Sequence, residues 1–209
     1  MKKILDKIFF NRPTTKVAQE LLGKFLIRRV VEVWPAHSAK KKMPNFHYPV
    51  SKISRRVISA MITEVEAYIG PKDKASHAFR GRTKRTEVMF GEAGHWYVYL
   101  VYGMHYCLNI VTEKNGYPAA ILIRSVVIPD KHSNILKNVG MLKISGPGKV
   151  CKKLRINKIF NARPANKKTG LWVEDRGIKI NPRDVSRGKR IGVDYAGRWK
   201  DKLYRFYLK

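Results

Sequence analysis

The sequence of 209 residues predicts a single domain of the α+β class, built on an antiparallel or mixed β-sheet with few helices. Three observations lead to this fold class. Several short apolar segments have the composition and alternation of strands. Only two segments combine apolar residues at helical spacing with capping residues. Hairpins and loops separate most of the strands, and no internal repeat or linker divides the chain.

The first predicted elements are a short helix and a strand. Residues 14–23, TTKVAQELLG, have an apolar face at helical spacing. Thr14 or Thr15 can cap this helix, and Gly23 can end it. Residues 24–34, KFLIRRVVEVW, then predict the first strand.

A long basic loop and a second strand are predicted next. Residues 35–55 carry prolines and a lysine triplet without periodicity, which is typical of a loop. Residues 56–70, RVISAMITEVEAYIG, predict a strand because Ile58, Ala60 and Ile62 alternate with the residues of the other face. A second basic loop, KDKASHAFRGRTKRTE, leads to the next element.

The densest aromatic stretch, GHWYVYLVYGMHYCLN at residues 94–109, predicts a β-hairpin. Buried phenol hydroxyls need hydrogen-bond partners, so the many tyrosines suggest more than a hydrophobic core. Alternation separates two faces and a tip: Tyr97, Tyr99 and Val101 on one face, Trp96, Val98 and Leu100 on the other, and Tyr102 at the turn.

The rest of the chain predicts a strand, a helix and a C-terminal pair of strands. Residues 119–129, AAILIRSVVIP, form the strand. Residues 145–160 predict the helix, with Ser145 as the cap and a proline in the first turn. The C-terminal segments RIGVDYAGRW and YRFYLK predict two short strands around a turn.

The charge of the chain points to a polyanionic partner. The 44 Lys and Arg residues against 15 Asp and Glu residues give a formal net charge of +29, which favours nucleic acid. No long apolar or strongly amphipathic segment predicts a membrane partner. Asp6 and Lys7 interrupt the N-terminal apolar run, so no signal peptide is predicted. Both cysteines lack metal-ligand spacing, and we expect reduced core residues of a cytoplasmic protein.

A phosphate-binding loop is excluded at Gly148 and Lys149. Lys143 stands where the first glycine of that motif belongs, and Val150 replaces the Ser or Thr that would hold magnesium. The start of the predicted helix can still bind a DNA phosphate through free N–H groups and Lys149. Plain helix capping explains the segment equally well.

Two carboxylates, Glu64 and Glu66, are expected on one face of the second strand. With Asp73 they suggest a metal nuclease. Pairing of one glutamate with an arginine is the structural alternative. The third interpretation is a catalytic role, because a carboxylate in a protein that binds phosphates repels its ligand and needs a chemical reason to be there. Glu66 is a better candidate for this role than Glu64.

Asn109 and Arg124 interrupt apolar strand patterns, in CLNIV and ILIRS. A buried amide or guanidinium costs several kcal/mol without a partner, so each must meet a specific group. That group is either a neighbour within the sheet or a base edge, a water or a phosphate in a pocket.

Five blocks carry a resemblance to a known family: EVEAYIGPKDKASHAFRGRTKRTEVMF, WYVYLVYGMHYCLN, AAILIRS, SGPGKVCKKLRIN and RIGVDYAGRW followed by RFYL. In order and spacing they resemble the single-domain alkyladenine, or 3-methyladenine, DNA glycosylases of bacterial type, from about Thr14 to the C-terminus. The resemblance implies one mixed α/β domain over residues 1–209, with a curved, mostly antiparallel sheet and a protruding hairpin.

The resemblance implies an enzyme of base excision repair that flips an alkylated or deaminated purine out of duplex DNA and hydrolyses its bond to the sugar. Neither a metal, another cofactor nor a lysine Schiff base is implied. Glu66 would activate the attacking water, held also by Arg124 and the main-chain carbonyl of Ile191. The flipped base would meet a pocket of four side chains: Tyr68, His77, Tyr99 as a stacking ring and Asn109 as a gauge against normal purines. Tyr102 would enter the duplex.

The expected partner is double-stranded DNA, met in the minor groove by a monomer that is cytoplasmic, or nucleoid-associated if bacterial. Lys149, Arg80 and Arg82 are predicted to contact DNA phosphates. The basic loop at about 35–55 departs from the family pattern because it is longer, and either contact with DNA or solvation explains it. A non-catalytic basic nucleic-acid-binding protein remains the alternative function.

Overall fold

A ten-stranded, curled antiparallel sheet organises the computed structural model, which describes residues 2–35, 50–134 and 139–209. The strands are β1 (Lys3–Ile4), β2 (Phe25–Pro35), β3 (Val50–Tyr68), β4 (Trp96–Val101), β5 (His105–Val111), β6 (Ala120–Asn134), β7 (Val139–Ser145), β8 (Leu171–Asp175), β9 (Val185–Gly188) and β10 (Arg205–Leu208). The main path runs β1-β8-β2-β3-β6-β5-β4, with β7 beside β6, and β10 between β3 and β9. The predicted α+β class is confirmed.

The 19-residue strand β3 is the centre of the sheet. One of its edges pairs with β6, and its other edge pairs first with β2 and then, beyond Met61, with β10. The pairing with β6 shifts register around Thr63, so that Ile62 and Glu64 oppose consecutive residues of β6. A bulge of this kind bends a strand and changes the direction of the side chains beside it.

The helices are short: α1 (Lys7–Phe10), α2 (Thr14–Leu21) and α3 (Pro147–Lys153). One-turn 3₁₀ helices occupy His77–Arg80, Glu87–Phe90, Lys158–Phe160 and Pro182–Asp184, and a longer one occupies Asp194–Asp201. No helix of the described residues is long and apolar enough to span a membrane.

Two predicted helix caps are wrong. Thr14 is the first residue of α2, and its N–H and hydroxyl both donate to the Glu113 carboxylate, which reaches the helix start from another part of the chain. Ser145 ends β7, and Gly146 is the residue before α3. The residue before each helix is Pro13 or Gly146, and neither makes a side-chain capping hydrogen bond.

Three further boundaries differ from the prediction. Residues 50–55 belong to β3 and pair with β2, because strand pairing continues past the end of the apolar pattern. Residues 36–49, which contain the lysine triplet, lie outside the described residues. The helix predicted over 145–160 ends at Lys153, and the strand predicted over 190–199 is largely the 3₁₀ helix Asp194–Asp201.

The main hydrophobic core lies between the sheet and the helices α2 and α3. Its largest fully buried side chains include Trp96, Phe10 and Phe206. Cys107 and Cys151 are free and buried, as predicted. The hairpin of β4 and β5 divides as its alternation predicts, because Trp96 and Val98 enter this core while Tyr97 and Tyr99 face a separate cluster.

Candidate active site

A cavity of about 430 Å³ opens between the end of β3, the hairpin of β4 and β5, and the segments around residues 75–85 and 191–195. The strand pairing β3-β6-β5-β4 places the functional side chains of four strands beside one another. Every residue predicted for catalysis, base binding or intercalation lines this cavity: Glu66, Tyr68, His77, Tyr99, Tyr102, Asn109, Arg124 and Ile191.

Glu66 is fully buried, and each of its carboxylate oxygens has a donor. The Ile191 N–H donates to Oε1 at 2.8 Å, and the Tyr68 hydroxyl donates to Oε2 at 2.9 Å. Burial raises the pKa of Glu66, while Arg124, the Ile191 N–H, Tyr68 and Arg190 act in the opposite direction. The result is a basic carboxylate held in one orientation.

Arg124 contacts both glutamates that the sequence places on one face. Its Nε donates to Oε1 of Glu64 at 3.2 Å, and its Nη1 lies 3.3 Å from Oε1 of Glu66. Its side chain is only 12% exposed, so solvent screens these contacts weakly. Both glutamates therefore have arginine contacts, and the arginine pairing that the sequence left open is present alongside the cavity.

Tyr68 links Glu66 to the segment that follows β9. Burial and then the neighbouring carboxylate raise the pKa of Tyr68 well above its usual value, so its hydroxyl stays protonated and donates. The Arg190 guanidinium lies over the Tyr68 ring, 4.8 Å from the centroid. A cation in this position stabilises the ring by cation–π attraction.

Three aromatic rings form a second wall. His77 meets Tyr99 edge to face with 4.6 Å between centroids, and Tyr97 lies 5.1 Å from Tyr99. The His77 Nδ1 and the Tyr97 hydroxyl are 3.0 Å apart. Burial, aided by Arg85, lowers the pKa of His77 to about 4, so the imidazole is neutral at neutral pH.

Asn109 is buried in β5 opposite Tyr97, and its side-chain amide donates to the Tyr97 carbonyl at 3.1 Å. The side chain thus bonds to the sheet and also lines the cavity, which combines the two alternatives left open by the sequence. This hydrogen bond to the neighbouring strand fixes the orientation of the Asn109 side chain, and a fixed orientation is needed in any residue that discriminates between ligands.

Tyr102 occupies the turn between β4 and β5. The residue is 88% exposed, and its φ of 51° lies in the left-handed region that only glycine adopts without cost. Leu100 and Met104 are exposed beside it. An apolar, strained tip at the mouth of a cavity is unusual for a surface turn and points to contact with a ligand.

The three predicted phosphate contacts, Lys149, Arg80 and Arg82, are exposed and lie outside the cavity lining. Arg82 pairs with Glu87 and lies over Phe90, so its charge is partly compensated. Arg80 borders a neighbouring cavity of about 600 Å³ that shares His77 with the first. Their contact with DNA remains a prediction.

Several residues and contacts of the site were not predicted from the sequence. Arg85 lies over the Tyr99 ring at 4.9 Å, and Tyr195 lines the same cavity. The fully buried pair Asp73 and Arg190 joins the turn after β3 to the segment that carries Ile191. Arg190 stands two residues after β9, in a basic segment whose pattern gives no sign that one arginine is buried.

Ile191 contributes through its N–H, whereas the role predicted for it belongs to its carbonyl. The carbonyl role remains a prediction. Over the residues that the structure describes, no three His, Cys, Asp or Glu side chains cluster at metal-binding distance. Asp73, the third carboxylate of the metal nuclease hypothesis, is engaged by Arg190 and by the N–H groups of its own turn.

The chemistry of this arrangement follows from its parts. A buried carboxylate with fixed donors can accept a proton and stabilise positive charge that forms beside it. Aromatic walls can hold a planar ring, and the flat shape excludes bulky side groups. The site therefore suits a planar ligand whose reacting atom lies close to Glu66.

Comparisons with known proteins agree with this architecture. The family model of methylpurine-DNA glycosylases matches residues 48–209. A protein of Methanocella arvoryzae is 40% identical over 212 residues, covering 99% of this chain and 92% of its own. A protein of Ehrlichia ruminantium strain Welgevonden is 39% identical, covering 100% and 90%, and one of Legionella pneumophila strain Lens is 40% identical, covering 98% and 94%. All three are named, provisionally, as 3-methyladenine DNA glycosylases.

The three relatives match nearly the whole length of the chain, and the match covers at least 90% of each relative. The chain belongs to the methylpurine-DNA glycosylase family. It is an enzyme, a DNA glycosylase that hydrolyses N-glycosyl bonds. The resemblance drawn from the five sequence blocks is thereby confirmed.

Proposed function

We propose that this protein flips alkylated purines, such as 3-methyladenine, out of duplex DNA, hydrolyses the N-glycosidic bond and leaves an abasic site. The observation that carries the proposal is the buried carboxylate of Glu66 in a cavity walled by Tyr68, His77 and Tyr99. The cavity opens beside the exposed Tyr102 of the hairpin tip, so one surface can both open the duplex and receive the base.

Glu66 acts as the general base. The water oxygen forms a bond to the anomeric carbon of the sugar, and its proton passes to the Glu66 carboxylate. The bond between that carbon and the purine nitrogen breaks, and its electron pair leaves with the base. Positive charge builds on the sugar during this step, and the carboxylate stabilises it. Arg124 and the Ile191 carbonyl help to hold the water, with the Ile191 N–H fixing Glu66.

The aromatic walls select the damaged base. N3- or N7-alkylated purines are cationic, and a cation on a tyrosine face gains about 0.5–2 kcal/mol beyond ordinary stacking. Tyr68 and Tyr99 supply these faces. The neutral His77 adds a hydrogen-bonding group without adding charge, and Asn109 excludes purines with the wrong exocyclic group. Deaminated purines such as hypoxanthine leave as neutral groups and depend more on such hydrogen bonds.

DNA is engaged from the minor groove by one copy of the protein. Extrusion of the nucleotide costs a few kcal/mol of unstacking, and less at a damaged base. Tyr102 enters the space that the nucleotide leaves. Lys149, Arg80 and Arg82 hold the phosphates in a salt-dependent, sequence-independent manner. The net charge of +29 supports this mode of binding.

The first experiment is release of free purines from methylated duplex DNA in the presence of EDTA. The proposal predicts release of methylpurines without strand cleavage. Binding without release would support a non-catalytic nucleic-acid-binding protein, and cleavage that requires a divalent metal would support a nuclease. Duplexes containing hypoxanthine test the deaminated substrates in the same assay.

The second experiment tests Glu66 as the general base. Glu66→Gln keeps the shape of the side chain and removes its basicity, so damaged DNA should still bind while excision falls by about 10² to 10⁴-fold. Glu174→Gln is the matched control, because Glu174 is also a buried sheet carboxylate with an arginine partner but lies in β8, outside the cavity lining. Wild-type excision by Glu66→Gln would remove Glu66 from the mechanism.

A further inference from the structure

Arg124 contacts Glu64 and Glu66 through different nitrogens of its guanidinium. Its Nε donates a hydrogen bond to Glu64 at 3.2 Å, whereas its contact with Glu66 is an ion pair of 3.3 Å through Nη1. The two oxygens of Glu66 already accept from Ile191 and Tyr68. Because the guanidinium is planar and rigid, fixing its Nε side also fixes where Nη1 points.

Glu64 is itself held from three directions. The Ser125 hydroxyl donates to its Oε2 at 2.5 Å, and Arg205 Nη1 of β10 donates to its Oε1 at 3.1 Å. Glu64 lines a different cavity, of about 520 Å³, which it shares with Arg205 and Ser125 but not with Glu66. Arg124 therefore spans the wall between a supporting carboxylate and the carboxylate of the reaction site.

Two register irregularities flank Glu64 and make this possible: Thr63 of β3 and then Arg124 of β6 are left out of the pairing between the two strands. In a regular strand Glu64 and Glu66, two positions apart, would point to one face of the sheet. The shifted register brings Glu64 opposite Ser125 and directs it to the second cavity, while Glu66 stays in the first.

We infer that Glu64 is a positioning residue for excision, which holds the Arg124 guanidinium in the orientation that serves Glu66 and its water. This inference rests on the proposed function, in which Glu66 is the general base. Glu64 touches neither the purine nor the attacking water in this scheme, and it acts only through Arg124.

The two carboxylates differ electrostatically in the manner that this division of roles requires. Burial alone would raise the pKa of Glu64, but Ser125, Arg205 and Arg124 outweigh it and the net pKa is lowered. Glu64 is thus a permanent anion near neutral pH, and it offsets part of the Arg124 charge that Glu66 experiences. Removing it should lower the pKa of Glu66, because a like charge is removed and Arg124 is left less compensated. The other charged or titratable groups near Glu66 include Tyr68, Cys107, Arg190 and Arg205, which stands opposite Glu66 on β10.

The test compares Glu64→Ala, Glu64→Gln and wild type by single-turnover excision of a lesion that wild type removes, from about pH 4.5 to about pH 8.5. The glutamine oxygen can still accept from Arg124 Nε, so Glu64→Gln should keep most of the plateau rate. Glu64→Ala removes the anchor, and its plateau rate should fall about 10- to 100-fold, as for a misplaced catalytic group. In both variants the acidic limb of the profile should move to lower pH.

Glu174→Ala controls for removal of a buried ion pair, because the Glu174 side chain is 10% exposed and that of Glu64 is 13% exposed. It should lower the melting temperature and leave the plateau rate and the acidic limb unchanged. Binding of undamaged duplex by fluorescence anisotropy should be equal in all variants.

Two results would overturn the inference: an unshifted acidic limb in Glu64→Gln, or a Glu64→Ala plateau rate within about two-fold of wild type. The pH profile of Glu64→Gln tests the inference even if Glu64→Ala fails to fold. Failure of the proposed function is distinct, because wild type would then excise nothing or Glu66→Gln would excise normally.

Discussion

The main-chain N–H of Ile191 donates a hydrogen bond of 2.8 Å to Oε1 of Glu66, although 125 positions separate the two residues in the chain. The bond carries the segment after β9 to the end of β3 and closes one side of the cavity. The orientation of the proposed general base therefore depends on a loop, and the loop depends on the buried pair of Asp73 and Arg190.

The pH dependence of excision should report Glu66. Its pKa is raised by burial, and only the carboxylate can accept a proton, so activity should fall with decreasing pH at a higher pH than for an ordinary glutamate. His77, with a pKa of about 4, should contribute no limb between about pH 5 and pH 8. Single-turnover rates of wild type and His77→Gln test this, and disappearance of the acidic limb in His77→Gln would assign it to the imidazole instead.

Removing one member of the Asp73–Arg190 pair should cost stability as well as activity. Both side chains are fully buried, and Asp73→Asn leaves the guanidinium without its compensating charge. We expect the free energy of unfolding to fall by about 3–5 kcal/mol, measured by urea denaturation. Excision should fall further than the folded fraction accounts for, because the segment that carries Ile191 loosens. A change below about 1 kcal/mol, typical of exposed pairs, would contradict this account.

Tyr102→Gly should separate stability from base flipping. Glycine relieves the positive φ at this position, and its greater freedom in the unfolded chain offsets the gain, so the melting temperature should change little. The wedge is removed, and 2-aminopurine placed beside the lesion should show weaker fluorescence on binding than with wild type. Val31→Ala, at an exposed apolar residue of β2 outside the cavity lining, serves as the control for loss of apolar surface. Equal fluorescence in Tyr102→Gly and wild type would exclude the intercalating role.

The salt dependence of DNA binding should identify the residues that bind phosphates. A variant that binds one phosphate fewer should have a slope of log K against log salt that is shallower by about 0.9, with little change in sequence preference. We expect this result for Lys149→Ala and Arg80→Ala. Arg82→Ala should have a smaller effect because Arg82 pairs with Glu87 at 2.8 Å. Lys3→Ala is the control, since β1 lies at the opposite end of the strand order from the hairpin. A slope unchanged by Lys149→Ala would remove the α3 start from the interface.

Local pattern was sufficient for the hairpin and for much of the sheet. Alternation divided Trp96 and Val98 from Tyr97 and Tyr99 correctly, because the two faces of a strand differ strictly by odd and even position. Element ends were less predictable. Residues 50–55 lack a strand pattern of their own and are held by pairing with β2, and Thr14 is drawn from its predicted cap role by Glu113, which is 99 positions away.

The sequence alone determined the fold class, the polyanionic partner and the identity of the unusual residues, because charge, alternation and misplaced polar groups are properties of the chain itself. Asn109 and Arg124 were recognisable since each is a polar group in an apolar strand, and Glu66 since a carboxylate repels the phosphates of a polyanionic partner. Only the tertiary structure decided what surrounds them. The Thr63 bulge, the Glu64–Arg124–Glu66 relation and the burial of Arg190 arise from strand register and from contacts between distant segments, and neither leaves a local pattern.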